Sequence, residues 1–212
     1  MEFSIPVPPA TLTPLPPLER LPAGSRLHRI HGIKWRSAQF NAGNHLSRFA
    51  PIRDAGGRRI PVLYAGRTFE VAAYESLFHA MEPGHGLRTW PAGELTNLAH
   101  STLETGRNLD LAPLFQRNLT GWNVSDLEIV KAPARYYPDT ARWAEAVHRS
   151  IMDASGMVWI SNREGSDRCY IFFGDRVEEA DFIVSHQRQG DDESLLADVR
   201  RAASHGGITI TI

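Results

Sequence analysis

The chain has 212 residues, 42% of them hydrophobic and 22% charged, enough for one globular domain with a real core. Lys plus Arg (23) nearly balances Asp plus Glu (24), so there is no broad basic footprint for nucleic acid or an anionic membrane. One cysteine, Cys169, rules out an internal disulfide and a Cys-rich zinc site. Arg far outnumbers Lys, with Lys34 and Lys131 the sole lysines, so an anionic ligand must be gripped by a few local guanidinium forks.

Residues 1–24 form a proline-rich leader (Pro6, Pro8, Pro9, Pro14, Pro16, Pro17, Pro22), expected to run extended over the domain formed by residues 25–212, or loose from it. It lacks the basic start of a secretory signal, and no apolar run reaches the length of a membrane span, so a reducing cytoplasm is the expected location. A first strand is predicted at Leu27–His31, then a loop region with Gly43, Pro51 and a Gly56-Gly57 turn. A second strand, Val62–Ala65, feeds a helix over 68–81 that ends before Pro83-Gly84. Short strand pieces are expected at 95–100, 103 and 109–111, and a short helix at 112–118. Asp139-Thr140 reads as the N-cap of a helix over 141–153 stopped by Gly156. Strands at 157–161, 169–173, 181–184 and 208–212 and a helix over 191–203 complete the chain. Strands interrupted by few helices, without regular alternation, indicate an α+β domain.

Glu75 stands out. In the 68–81 helix it shares a stripe with Val71, Ala72, Phe78 and His79, while Ala73, Leu77, Ala80 and Met81 make the opposite stripe apolar too. A carboxylate buried there costs several kcal/mol unless partnered, so a site for chemistry is expected around it. Three further polar elements interrupt apolar segments: Arg29, Ser47-Arg48-Phe49, and Ser161-Asn162-Arg163; Tyr64 precedes the Glu75 helix. A buried arginine needs an anion, here Glu75 or a ligand phosphate. Taken singly, each has a plainer reading as a structural ion pair, a turn residue or a packed aromatic. His79, one turn after Glu75, reads as a hydrogen-bonded histidine ahead of a base. Cys169 lies in the apolar run Cys169-Tyr170-Ile171-Phe172-Phe173 and reads as a core thiol.

Together these elements resemble the RES domain: an Arg in the first strand, an Arg-Phe pair, Leu-Tyr before an Ala-x-x-Glu-x-x-x-His helix, and an apolar strand ending in Ser. The residues matching its Arg, Glu and Ser are Arg29, Glu75 and Ser161. Ser47 and Ala50 flank Arg48-Phe49, where family members often carry Gly and Asn. The resemblance implies an ADP-ribosyltransferase-like fold, with a central split of mixed and antiparallel β-sheets flanked by helices. It implies the toxin of a bacterial type II toxin–antitoxin system, blocked by an antitoxin carrying an Xre-like helix-turn-helix; a homodimer within that complex is left open. It also implies NAD as substrate, cleaved at the nicotinamide–ribose bond by water or phosphate, with no metal. In that scheme Glu75 stabilises charge on the ribose, with Arg29, Tyr64 and Ser161 as its catalytic companions. Arg48, Phe49 and Arg163 hold the dinucleotide. The alternatives are ADP-ribose transfer to a protein, a metal-dependent hydrolase using pairs such as His28 and His31 or His79 and His85, and a non-catalytic interaction module in which Glu75 pairs with Arg29.

Overall fold

A computed structural model describes residues 3–42, 46–81 and 87–212; Gly43, Pro83, Gly84 and His85 lie outside the described residues. The main sheet has eight strands in the order β1-β8-β9-β10-β5-β2-β7-β11. These are β1 (Glu19–Leu21), β2 (Arg26–Gly32), β5 (Val62–Gly66), β7 (Leu98–Thr105), β8 (Leu109–Pro113), β9 (Gly156–Ile160), β10 (Arg168–Phe173) and β11 (Phe182–Gln189). β8 and β9 run parallel and the remaining neighbours antiparallel, a mixed sheet. Two small pairs stand apart: the β3 (Ile52–Arg53)–β4 (Arg59–Ile60) hairpin and a parallel pair of β6 (Arg88–Pro91) with β12 (Ile208–Thr211). The Gly56-Gly57 turn closes that hairpin, with Gly57 at φ 79°, a left-handed conformation natural to glycine.

The middle of the sheet carries the apolar runs. Met157, Val158 and Trp159 of β9 and Cys169–Phe173 of β10 are buried, as expected of strands covered on both faces. The junction that matters most lies between β5 and β2. Their ladder is a single pair, His28↔Gly66, whereas β2 pairs with β7 along its whole length. β2 and β5 therefore part beyond His28, and the eight strands behave as two half-sheets joined at one point.

Helix α1 (Phe69–Ser76) crosses this junction. Thr68 caps it by accepting from Val71 N at 3.2 Å. It approaches β5 closely because residue 66 is glycine: a Cβ there would lie 2.8 Å from Ala72 N and from the Val71 side chain. On its far side Ala73, Leu77 and Phe78 pack with Trp90, Leu195 and Val199, the last two from α5 (Glu193–His205). α4 (Tyr137–Ser150) buries Trp143, Ala144 and Val147 with Ile171 and Phe173 of β10, in the same core cluster that Val71 of α1 joins.

The leader is draped over this cluster, against α4 and Trp122. Prolines cannot donate, but their carbonyls accept, and two indoles take them: Trp143 Nε1 donates to Pro6 O at 2.7 Å and Trp122 Nε1 to Pro14 O at 2.8 Å. Leu12 is fully buried, and Glu19–Leu21 becomes the edge strand β1.

Several elements differ from the sequence expectation. The Glu75 helix closes at Ser76, and residues 77–80 continue as a turn, leaving His79 and Ala80 exposed. The β7 region is one continuous strand preceded by a 3-10 turn at Ala92–Asn97, which takes the segment expected to begin as strand at 95. Ala112 and Pro113 extend β8 by pairing with Met157 and Val158, so the short helix, α2, begins only at Gln116. α4 starts at Tyr137, with Pro138 in its first turn where no N–H is needed. Thr140 inside it donates its hydroxyl to Arg48 O, not to a cap. β11 runs on through the polar residues Ser185–Gln189, which an edge strand accommodates because one side meets solvent.

Candidate active site

Where β2 and β5 separate, a cavity of about 330 Å³ opens, of the size that holds a small-molecule ligand. Its walls come from β2, β5, α1, the loop carrying Arg48, and the ends of β9 and β10. Of the residues singled out in the sequence, Arg29, Arg48, Tyr64, Glu75 and Arg163 line it. Ser161 stands immediately behind, and Phe49 does not reach the wall.

Glu75 is half-buried on the cavity face of α1. Its Oε1 accepts from Ser161 Oγ at 2.6 Å and from Arg163 N at 3.3 Å. Both donors belong to the turn after β9. Ser161, only 2% exposed, also accepts from Glu164 N at 3.0 Å, so its single hydroxyl proton is directed to the carboxylate. A short O–H···O⁻ bond of this kind holds the carboxylate in one orientation. Cys169 also lines the cavity near Glu75 and Ser161. Burial and the neighbouring carboxylate push its thiol well above its usual range, so it is an inert wall rather than a nucleophile.

Arg29 does not pair with Glu75. It donates Nη1–H to Ser37 O at 2.7 Å, and no described carboxylate forms an ion pair with it. Burial pushes its guanidinium down to about 10, with Glu179 partly opposing, so it stays charged at neutral pH. Arg48, also buried, spends Nη1–H on Ala132 O at 2.9 Å and lies over the Tyr137 ring at 5.1 Å. Arg163 Nη1 reaches Met81 O at 3.4 Å.

Tyr64 sits on β5 with its hydroxyl already engaged, bonded to Ser47 Oγ and accepting from Phe49 N, both at 3.1 Å. Burial raises the phenol to about 12, so it is neutral. Its hydroxyl pins the Arg48 loop to the sheet; only the ring is left to meet a ligand. Phe49, expected to hold the dinucleotide, is instead fully buried, edge-on to Trp159 at 5.0 Å. It anchors the loop so that Arg48 can face the cavity. His79 is exposed and its Nδ1 lies 2.9 Å from Ser76 O, which makes that nitrogen the donor.

The sequence reading weighed His28 and His31 of β2 only as metal ligands, and passed over Ile30. His28, Ile30 and His31 line the cavity beside Arg29. Their signal was present: a central strand reading Arg26, His28, Arg29, His31 is too polar to be plain core. The two histidines do not converge. His28 Nδ1 lies 3.0 Å from His100 Nε2, and His31 Nε2 lies 2.8 Å from Ser101 Oγ. Among the described residues no group of three His, Cys, Asp or Glu is placed to hold a metal ion. Nor is any helix of the described residues long and apolar enough to cross a membrane.

The RES domain family model matches residues 26–198. The crystal structure of the M. tuberculosis MbcT-MbcA toxin-antitoxin complex contains a chain similar in fold, with a TM-score of 0.61 over 86% of this chain and 92% of that one. Identity between the two is 10%, so the likeness is one of fold. No curated protein matches the sequence.

Proposed function

The chain belongs to the RES-domain family, and from that premise we propose that it is the toxin of a bacterial toxin–antitoxin pair, an enzyme that breaks the nicotinamide–ribose bond of NAD. The observation that carries the reading is Glu75: a carboxylate on the wall of a ligand-sized cavity, oriented by a serine hydroxyl and a backbone amide, while Arg29 and Arg48 bond to carbonyls instead. Nicotinamide leaves NAD as a neutral molecule, so no strong general acid is required. The difficulty is the positive charge that grows on the ribose carbon, an oxocarbenium-like state. A fixed carboxylate in a cavity of low dielectric stabilises that charge and accepts from a ribose hydroxyl. Arg29 and Arg48 each spend one N–H on a backbone carbonyl, and the rest of each fork suits pyrophosphate oxygens. Arg163 stands beside Glu75 on the turn that also carries Ser161, and the Tyr64 ring offers a stacking surface. The non-catalytic reading, in which Glu75 and Arg29 form a structural pair, finds no such pair.

The partner in this reading is an antitoxin with an Xre-like helix-turn-helix, supported by the fold shared with a chain of a toxin–antitoxin complex. The NAD consumed is the cytoplasmic pool. Purified protein incubated with NAD is expected to release nicotinamide together with free ADP-ribose, or with ADP-ribose phosphate when phosphate is added. Glu75→Gln lowers kcat about a hundred- to a thousandfold, the usual loss when a fixed electrostatic stabiliser is removed. Label appearing instead on a protein target would redirect the reading to ADP-ribose transfer. Intact NAD under all these conditions would remove it.

A further inference from the structure

A chain of polar side chains runs into the cavity wall from the β11 edge of the sheet, beneath α1 and α5. It begins at Asp198 on α5, whose Oδ2 lies 2.8 Å from Arg188 Nη1. Arg188 on β11 continues it, with Nη2 3.1 Å from His100 Nδ1. His100 on β7 then meets His28 on β2, Nε2 to Nδ1 at 3.0 Å, the two rings stacked with centroids 5.2 Å apart. His28 is half-buried and lines the cavity.

The direction of every bond follows from the first donor. A guanidinium has no acceptor, so His100 Nδ1 must accept from Arg188. A neutral His100 therefore carries its proton on Nε2 and donates it to His28 Nδ1. His28, accepting there, carries its own proton on Nε2. No described residue accepts from that nitrogen, and it is not sealed in the interior. We infer that His28 is a substrate-binding hydrogen-bond donor of the cavity, held as the Nε2–H tautomer by His100, Arg188 and Asp198, and that it takes a neutral oxygen acceptor, the carboxamide carbonyl of nicotinamide.

The charges around the pair agree with a neutral donor. Burial, with Arg26, Arg188 and Arg67 nearby, lowers His28 against the opposing pull of Glu70. Burial, with Arg188, His28 and His186, lowers His100 to about 3, against Asp198. An imidazole kept uncharged among arginines is a poor phosphate ligand and a good partner for an amide oxygen. The bond also gains as the reaction proceeds. The pyridinium ring withdraws electrons from its carboxamide, and this ends when the glycosidic bond breaks, so the carbonyl accepts more strongly in the transition state. Asp198, Arg188 and His100 are positioning residues; they touch no substrate.

This inference rests on the NAD reading, and the two fail in different ways. Nitrogen-15 and carbon-13 NMR of the histidine rings in the full Glu75→Gln chain is expected to show His28 as the neutral Nε2–H form above pH 7; an Nδ1–H or charged ring overturns the inference without any change at His28. In the Glu75 protein, His28→Phe is expected to lower kcat/KM for NAD about 3- to 10-fold, the usual scale for one lost neutral hydrogen bond, and His28→Gln, which places an N–H near the same point, to restore most of it. Thionicotinamide adenine dinucleotide, whose sulfur accepts weakly, should be the poorer substrate of the Glu75 protein and lose that handicap in His28→Phe. If NAD is turned over but these His28 variants match the parent chain, His28 is only structural. If NAD is not turned over at all, the NAD reading itself has failed.

Discussion

Glu75 Oε1 takes two hydrogen bonds from the same turn, and their donors are not equivalent. The Arg163 amide at 3.3 Å is backbone and long, while the Ser161 hydroxyl at 2.6 Å is the short bond that aims the carboxylate. Ser161→Ala leaves the amide and removes the aim. A hydrogen bond to a charged group is worth about 1.5–3 kcal/mol, so kcat for NAD cleavage is expected to fall roughly 10- to 100-fold with KM little changed. Steady-state kinetics with the folded variant checks this; an unchanged kcat would make Ser161 a mere strand-end residue. Tyr64 and Phe49 show how roles divide at this scale. Both were read as ligand contacts, yet the Tyr64 hydroxyl and the Phe49 ring are committed to holding the loop that presents Arg48. A sequence gives the residue types of a site; it does not say which hydroxyl is already taken.

At the scale of elements, the position of α1 depends on Gly66. Gly66→Ala drives a methyl group to 2.8 Å from the Ala72 backbone nitrogen, and a backbone atom in a helix cannot step aside cheaply. The helix must tilt, taking Glu75 away from Ser161. Overpacking of this kind costs about 1–3 kcal/mol, and a matching drop in the urea midpoint, with a larger loss of NAD turnover than of stability, is expected. A variant as active as the parent would show that α1 has slack. Legibility in the sequence follows the same division. The apolar runs of β5, β9 and β10 and the amphipathic α4 and α5 declare themselves, because burial on one or two faces imposes a period. β1, β6 and the polar half of β11 do not, since they are short or edge strands whose existence depends on a partner remote in sequence. The cavity likewise arises from a ladder only one pair long, which no local pattern encodes.

Over the whole molecule, the histidines set a pH dependence. His28, His31, His100 and His148 all titrate below the ordinary value of 6.5, in each case chiefly because burial disfavours the charged ring; His100 falls to about 3. A depressed histidine binds its proton in the unfolded chain before it does so in the folded one. Stability therefore falls as pH drops below about 6.5, and for His100 the decline continues toward about 3. Urea unfolding between pH 7.5 and 5, above the range where most carboxylates titrate, is expected to show a steady loss of stability that is shallower in His100→Gln. A flat profile would mean that these rings are solvated in the folded state.

The proline-rich strap has an optical consequence. Its carbonyls cap the indole nitrogens of Trp122 and Trp143, whose rings stack with centroids 6.3 Å apart beneath it. Deleting residues 1–17 strips both fluorophores of their acceptors and admits water, so their emission is expected to move to longer wavelength. An unshifted spectrum would mean that the indoles were hydrated all along. The chain thus carries its own dye, reporting whether its first residues are in place.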